Sequence, residues 1–293
     1  MTRLRLAVIG WGRLGKACAE ALRDAPELAL AGIVRRADAL GAASSSPIRG
    51  VPCVGHVSEL EAIDAALLCV RSEAAPGVAR ELLQSRVRLV ECADLADGAL
   101  RAHHDEIAHL AKRYRVGAVV GAGWDPGLLP QLQRLFELLI PKGHSQVTRR
   151  VGTALHHTAA AENVAGVRGA LCSELRDPDG GTHRYVYVEL SRGGDLERVR
   201  QQIEGDPLFA DEPTQVLPVD DLAALEQENR GVLVERLGDG VGGPHASLIL
   251  EARLDPIAFT ARLMLDAARS LSPHARGAWR YTPCGLVPLD GPG

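Results

Sequence analysis

A glycine pattern near the start of the chain constrains the fold more than any other feature. Leu4-Arg5-Leu6-Ala7-Val8-Ile9 is a short apolar run, and Gly10-Trp11-Gly12-Arg13-Leu14-Gly15 follows it directly. Ala17, Ala19, Ala21 and Leu22 then open a helical pattern. A strand, then spaced glycines, then a helix is the context in which such a signature binds a dinucleotide. Gly10 permits the tight turn, Gly12 lets the backbone approach a pyrophosphate, and Gly15 lets helix and strand pack closely. The helix amino-terminus turns its free N–H groups toward the phosphates. Gly10, Trp11, Gly12, Arg13, Leu14 and Gly15 are therefore all expected at the cofactor.

The segments that follow alternate in type. Leu28–Val34, Ala65–Val70, Val87–Cys92 and Val116–Gly121 read as buried strands, and Ala75–Leu83 and Gly98–Tyr114 as helices. This alternation predicts an α/β fold, a Rossmann-type doubly wound parallel sheet. The second strand ends not in an acid that would hold a ribose hydroxyl but in Arg35-Arg36. Forked, permanently charged donors suit a 2′-phosphate, so the cofactor is expected to be NADP. Cys69, Arg71 and Ser72, at the end of the third strand, are expected to face it as well.

The functions excluded follow from charge and composition. A formal net charge of -4 argues against a nucleic-acid partner. The six cysteines are scattered without metal-ligand spacing, so neither a disulfide framework nor a metal site is expected. No signal peptide or membrane-length apolar run is evident, and a cytoplasmic protein is the expectation.

The fifth strand runs into Gly121-Ala122-Gly123-Trp124-Asp125-Pro126-Gly127, and an apolar helical pattern starts at Leu128. Trp124 and Asp125 thus stand at the carboxyl end of a parallel strand, where ligands bind in such sheets. Asp94 has the same position after the preceding strand. Two carboxylates beside a nicotinamide suit a substrate ammonium group. Equally, Asp125 suits a helix cap with Pro126 at the first helical position.

Past Pro141 the pattern becomes mixed. Ser145–Leu155, Thr182–Leu190 and Ser247–Leu254 have β character, and Asp195–Ile203 and Pro256–Leu271 are helical. A second, smaller α+β domain is expected. The boundaries read as 1–122 for dinucleotide binding, 123–265 for substrate binding and dimerisation, and 266–293 as a segment returning to the first domain. Asp177–Gly181 is a hairpin turn signal. His156-His157 reads as a loop pair. Arg184, inside an alternating strand, needs an anion partner, either a substrate carboxylate or a structural acid.

These motifs together resemble the meso-diaminopimelate dehydrogenase family. The glycine signature resembles that family's Gly-Tyr-Gly-Asn-Leu-Gly, Val34-Arg35-Arg36 its Ser-Arg-Arg, and Gly123–Gly127 its Gly-Trp-Asp-Pro-Gly. Asp94 falls where the family has an Asp. The resemblance implies NADP-dependent, reversible oxidative deamination of the D-centre of meso-2,6-diaminopimelate. It gives Asp94, Trp124 and Asp125 the amine end, and Leu155, His157, Thr158 and Arg184 the far end of a small-molecule amino-acid substrate. It also implies a homodimer. The far end departs from the family: a Gln-Gly-His-Ser-Asp segment is here Leu155–Ala159, and a later Pro-His-Gly-Gly-His has no counterpart. Loss of hydrogen-bonding groups there relaxes selection for a second amino-acid end, which admits a related D-amino acid. Two further readings stay open: an NADP(H)-dependent reductase or dehydrogenase of another amine or imine, and a non-catalytic NADP-binding sensor on the same fold.

Overall fold

The computed structural model describes residues 3–35, 46–95, 97–149, 155–176, 182–210, 212–229, 231–240, 246–252 and 254–289. The chain forms two units, one made of 1–132 with 256–293 and the other of 133–255.

In the first unit the strands are β1 (Leu4–Ile9), β2 (Leu28–Val34), β3 (Cys53–Val54), β4 (Ala65–Leu68), β5 (Leu89–Val90), β6 (Gly117–Val120), β13 (Gly277–Thr282) and β14 (Gly285–Pro288). They lie in the order β14-β13-β6-β5-β4-β1-β2-β3. All pairings are parallel except β13 with β14. The order reverses between β1 and β4, which creates the crevice that doubly wound sheets use for ligands. The chain alternates faces along each strand. Ala7, Ile9, Ala66, Leu68, Ala118 and Val120 pack on one side, under helices α2 (Ala75–Gln84) and α3 (Asp97–Tyr114). Leu6, Val8, Ala65, Leu67 and Val119 pack on the other, under α1 (Arg13–Ala21) and α8 (Pro256–Ser270). Both faces are covered, which is why these strands read as unbroken apolar runs. Each fully buried Leu or Val contributes about 1.5–3 kcal/mol.

Residues 256–265, expected with the second domain, belong to the first unit. α8 buries Ala261, Met264, Leu265 and Ala268 there, at helical spacing. Residues 123–132 belong to it too. Near the end of the chain, β13 pairs with β6 of the first sheet.

The second unit has a six-stranded mixed sheet in the order β10-β9-β8-β7-β11-β12. Its strands are β7 (Gly143–Arg149), β8 (Val167–Arg176), β9 (Thr182–Leu190), β10 (Thr214–Pro218), β11 (Val232–Gly238) and β12 (Ser247–Ala252). Helices α5 (Leu155–Glu162), α6 (Leu196–Glu204) and α7 (Leu222–Asn229) accompany it. Ala161 of α5 and Val199 and Ile203 of α6 pack on Cys172, Val186 and Val188. Asp195 caps α6, accepting from the N–H groups of Glu197 and Arg198. Arg236 fixes the exit of helix α4 (Leu128–Leu139), donating to the carbonyls of Ile140 and Pro141. The β8–β9 pairing runs from Val167↔Leu190 to Arg176↔Thr182; the turn signal at 177–181 lies outside the described residues. No described helix is long and apolar enough to cross a membrane.

Candidate active site

The crevice at the β1–β4 switch is built from backbone. The N–H of Cys69 donates to Ile9 at 2.8 Å and that of Gly10 to Val34 at 2.9 Å, so the ends of β1, β2 and β4 are tied together. Gly10 has φ +100°, and a Cβ there would stand 2.7 Å from the Cys69 carbonyl oxygen. Gly12 caps α1 with extended backbone and no side chain. A hollow of about 370 Å³ opens beside it, lined among others by Gly10, Trp11, Gly12, Arg35, Cys69 and Arg71. Two guanidinium groups, Arg35 and Arg71, thus face one crevice with a helix N-terminus. That is a cradle for a phosphorylated nucleotide.

Other expected cofactor residues are placed differently. Arg13 and Leu14 begin α1, and Leu14 packs into the core beside Cys18. Arg36 lies outside the described residues. Ser72 does not line the hollow; its hydroxyl accepts from the N–H of Asp94 at 3.0 Å and so holds the Asp94 loop. The hollow also takes in His56, Val57 and Glu81, which the sequence pattern did not reveal. The sulfurs of Cys18 and Cys69 are in contact at 3.8 Å. The hydrogen bond shared with Cys18, followed by burial, holds the Cys69 thiol well above its ordinary pKa, so it is an inert wall.

A Cβ added to Gly12 would meet no heavy atom within 4 Å, unlike one on Gly10 or Gly15. Gly12→Ala is therefore expected to leave the melting temperature within about 1 °C of the parent, since nothing is displaced. If Gly12 is the glycine that a dinucleotide pyrophosphate approaches, as the sequence pattern predicts, the added methyl is expected to raise the KM for the cofactor about tenfold or more. Thermal melts and cofactor titrations check both.

The Gly121–Gly127 loop is folded back on itself and braced. Gly121 has φ +66°, the Asp125–Pro126 peptide is cis, and Gly127 has φ +151°. A Cβ on Gly127 would lie 2.2 Å from the Gly123 carbonyl oxygen, so glycine is required there. The N–H groups of Leu128 and Leu129 donate to the carbonyls of Gly123 and Trp124. From α8, the Thr260 hydroxyl accepts from the Trp124 N–H at 3.1 Å, and Phe259 meets the indole edge-to-face at 5.7 Å. Gln131 donates to the carbonyls of Gly127 and Tyr281.

Two expectations change here. Helix α4 starts at Leu128, so Asp125 is not a cap with Pro126 at the first helical position. Trp124 is only 5% exposed. Its indole belongs to the loop's own packing, and Asp125 is the group presented outward. Asp94, after β5, is exposed as well. The structure thus sets both carboxylates on loops at the carboxyl ends of adjacent strands, in the sheet that carries the nucleotide crevice.

In the second unit, His156-His157 is the first turn of α5 and not a loop. The side chains of Leu155 and His156 lie outside the described residues. His157 Nε2 is 3.2 Å from the Leu208 carbonyl, its Nδ1 is 3.6 Å from Glu174, and its ring meets Phe209 edge-on. Thr158 is buried, and its hydroxyl accepts from the Cys172 N–H. Arg184 shares the inward face of β9 with Val186 and Val188 and is 5% exposed. Its Nη2 lies 3.0 Å from Glu212 and 3.4 Å from Glu174, and the guanidinium stacks over Phe209. The acid partners it needs are thus supplied by the chain itself. Its Nε and Nη1 make no hydrogen bond among the described residues. His157 and Arg184 therefore share Glu174 and Phe209, while Thr158 stands behind them as a support of β8.

Comparison with known proteins adds to this geometry. The family profile described as CoA binding domain matches residues 2–93, the part that holds the nucleotide crevice. A meso-diaminopimelate D-dehydrogenase of Bacteroides fragilis is 29% identical over 291 residues, covering 99% of this chain and 96% of that protein. The chain is a relative of the meso-diaminopimelate D-dehydrogenases. The family's solved members share its fold. A C. glutamicum DAP dehydrogenase in complex with DAP superposes with TM-score 0.68 at 22% identity, covering 96% of this chain and 93% of that one. An engineered D-amino acid dehydrogenase bound to NADP+ gives 0.65 at 20%, covering 95% and 93%. The chain accordingly shares the fold of these dehydrogenases, one of them bound to NADP+, and is related in sequence to meso-diaminopimelate D-dehydrogenases.

Proposed function

We propose that the chain is an NADP-dependent dehydrogenase that oxidatively deaminates the D-configured centre of an amino acid, reversibly. One observation carries the reading. Asp94 and Asp125 are presented outward on neighbouring strand-end loops of the sheet whose switch point forms the nucleotide crevice. Arg35 and Arg71 would hold the cofactor's phosphates, with Gly10–Gly15 and the α1 N-terminus against the pyrophosphate. Bound there, NADP+ accepts the hydride and carries the redox change.

The chain's own residues then do three things. Asp94 and Asp125 hold the substrate ammonium and take up its proton, so that the amine nitrogen's lone pair is free. The packed Trp124 and the braces from Thr260, Phe259 and Gln131 keep that grip rigid. Water adds to the oxidised carbon and ammonia leaves. In balance, amino acid, NADP+ and water give oxo acid, ammonium, NADPH and a proton.

The family resemblance gives Leu155, His157, Thr158 and Arg184 the side-chain end of the substrate. Meso-2,6-diaminopimelate and simpler D-amino acids are the two candidates. Glu174 and Glu212 already balance the Arg184 charge, which supports a D-amino acid without a second carboxylate. Leu237 and Ile249, exposed on one face of the second unit's sheet, support a homodimer.

The test is kcat/KM for NADP reduction across meso-diaminopimelate and D-amino acids with neutral side chains, with NAD compared alongside. A higher value for neutral D-amino acids, and for NADP over NAD, is expected. Arg35→Ala should raise the KM for NADP about tenfold to a hundredfold, from the loss of charged hydrogen bonds to the 2′-phosphate, and leave NAD nearly unaffected. Turnover with none of these substrates overturns the enzymatic reading.

A further inference from the structure

We propose that Glu91 is a positioning residue for the amine site, a role that rests on the function proposed above. Glu91 directly follows β5 and is fully buried. Its Oε2 accepts from the N–H of Ala93 at 2.8 Å, and its Oε1 from the N–H of Gly121 at 3.2 Å. Its own N–H donates to the Val119 carbonyl, and its carbonyl accepts from the N–H of Ala122. One residue thereby joins two loops. Asp94 is next to Ala93, and Trp124 and Asp125 come just after Ala122.

The chemistry explains why an acid is found here. Beyond the strand ends, the N–H groups of Ala93 and Gly121 point inward and require acceptors. A carboxylate offers two acceptor oxygens a fixed distance apart. A buried anion requires compensation, and α3 supplies it. His103 Nε2 stands 3.4 Å from Oε2 and His104 Nε2 stands 3.5 Å from Oε1. Burial pushes the Glu91 carboxyl up, but the two histidines and the Ala93 N–H outweigh it, and the group settles at about 2. Glu91 is thus ionised throughout the neutral range and keeps both acceptors. An amide offers one acceptor oxygen and turns its NH2 toward the other N–H, so Glu91→Gln releases one loop. Glu91→Asp keeps the charge but is one methylene too short to span both.

The experiment uses the full chain and begins with wild-type NADP reduction on the D-amino acid panel. Wild-type inactivity overturns the functional reading and this role with it. With activity established, Glu91→Gln and Glu91→Asp are each expected to lower kcat tenfold or more, with the KM for NADP within twofold, at a temperature where circular dichroism shows a folded protein. Leu22→Ala, a truncation in the core beneath α1 and α8 and far from these loops in sequence, serves as the control for general destabilisation. It is expected to keep kcat. Either acid variant with wild-type kcat, or a kcat loss matched by Leu22→Ala at equal stability, overturns the role. Should Glu91→Gln not fold, Glu91→Asp carries the test alone.

Discussion

Asp125→Asn is expected to lower kcat/KM for the amine substrate by about a hundredfold or more, the range seen when a positioned acid–base group is removed. The expected binding of NADP and the expected melting temperature are those of the parent. The reason is the division of labour in the loop. Trp124, Gly123 and Gly127 make the packing, with Thr260, Phe259 and Gln131 bracing them. Asp125 is on the exposed side, where a near-isosteric change alters stability by no more than about 0.5 kcal/mol. Asparagine keeps the shape and loses the charge that holds an ammonium and accepts its proton. Steady-state kinetics together with a cofactor titration read the two effects apart. A variant with parental turnover would remove Asp125 from the mechanism.

Gly15→Ala is expected to have the largest effect on stability. A Cβ at Gly15 would stand 2.1 Å from the Gly10 carbonyl oxygen and 3.1 Å from Val8. The first of these is backbone and cannot swing aside. Relief requires α1 to move off β1, the same contact that presents the helix N-terminus to the crevice. Overpacking of this kind costs about 3 kcal/mol, or roughly 6–12 °C in melting temperature for a domain of this size. NADP should protect this variant far less than the parent. Gly12→Ala, a few residues away, should show the opposite pattern of intact stability and weakened cofactor binding, so the pair separates space needed by the fold from space needed by the ligand.

Much of the nucleotide-binding half was legible because its signals are local. β1 and β2 run over Leu4–Ile9 and Leu28–Val34, as their apolar runs predict, and in the second unit β9 runs over Thr182–Leu190, as its alternation predicts. The period of two in β9 also put Arg184 on the inward face. What faces it there was not legible, because Glu212 and Phe209 come from a later segment and only the folded sheet brings them in. The Asp-Pro-Gly sequence left a helix cap open for a related reason. Local preference favours a cap followed by proline, whereas the chain turns through a cis peptide and a positive-φ glycine and starts the helix at Leu128. Trp124 looked like a group offered to a ligand, and its burial depends on Phe259 from a distant helix. Glu91 was hidden most completely. In sequence it is one acid at the end of an apolar strand, and its partners Ala93, Gly121, His103 and His104 come from three separate segments.

On the function proposed above, this chain removes a hydride from the D-centre of an amino acid. A D-amino acid deuterated at that carbon tests it most directly, with mass spectrometry of the NADPH formed and the L-enantiomer run in parallel. One deuterium per nicotinamide is expected from the D-substrate and none from the L-substrate. Label arriving only from the L-enantiomer, or no reduced cofactor from any D-amino acid including meso-diaminopimelate, would contradict it.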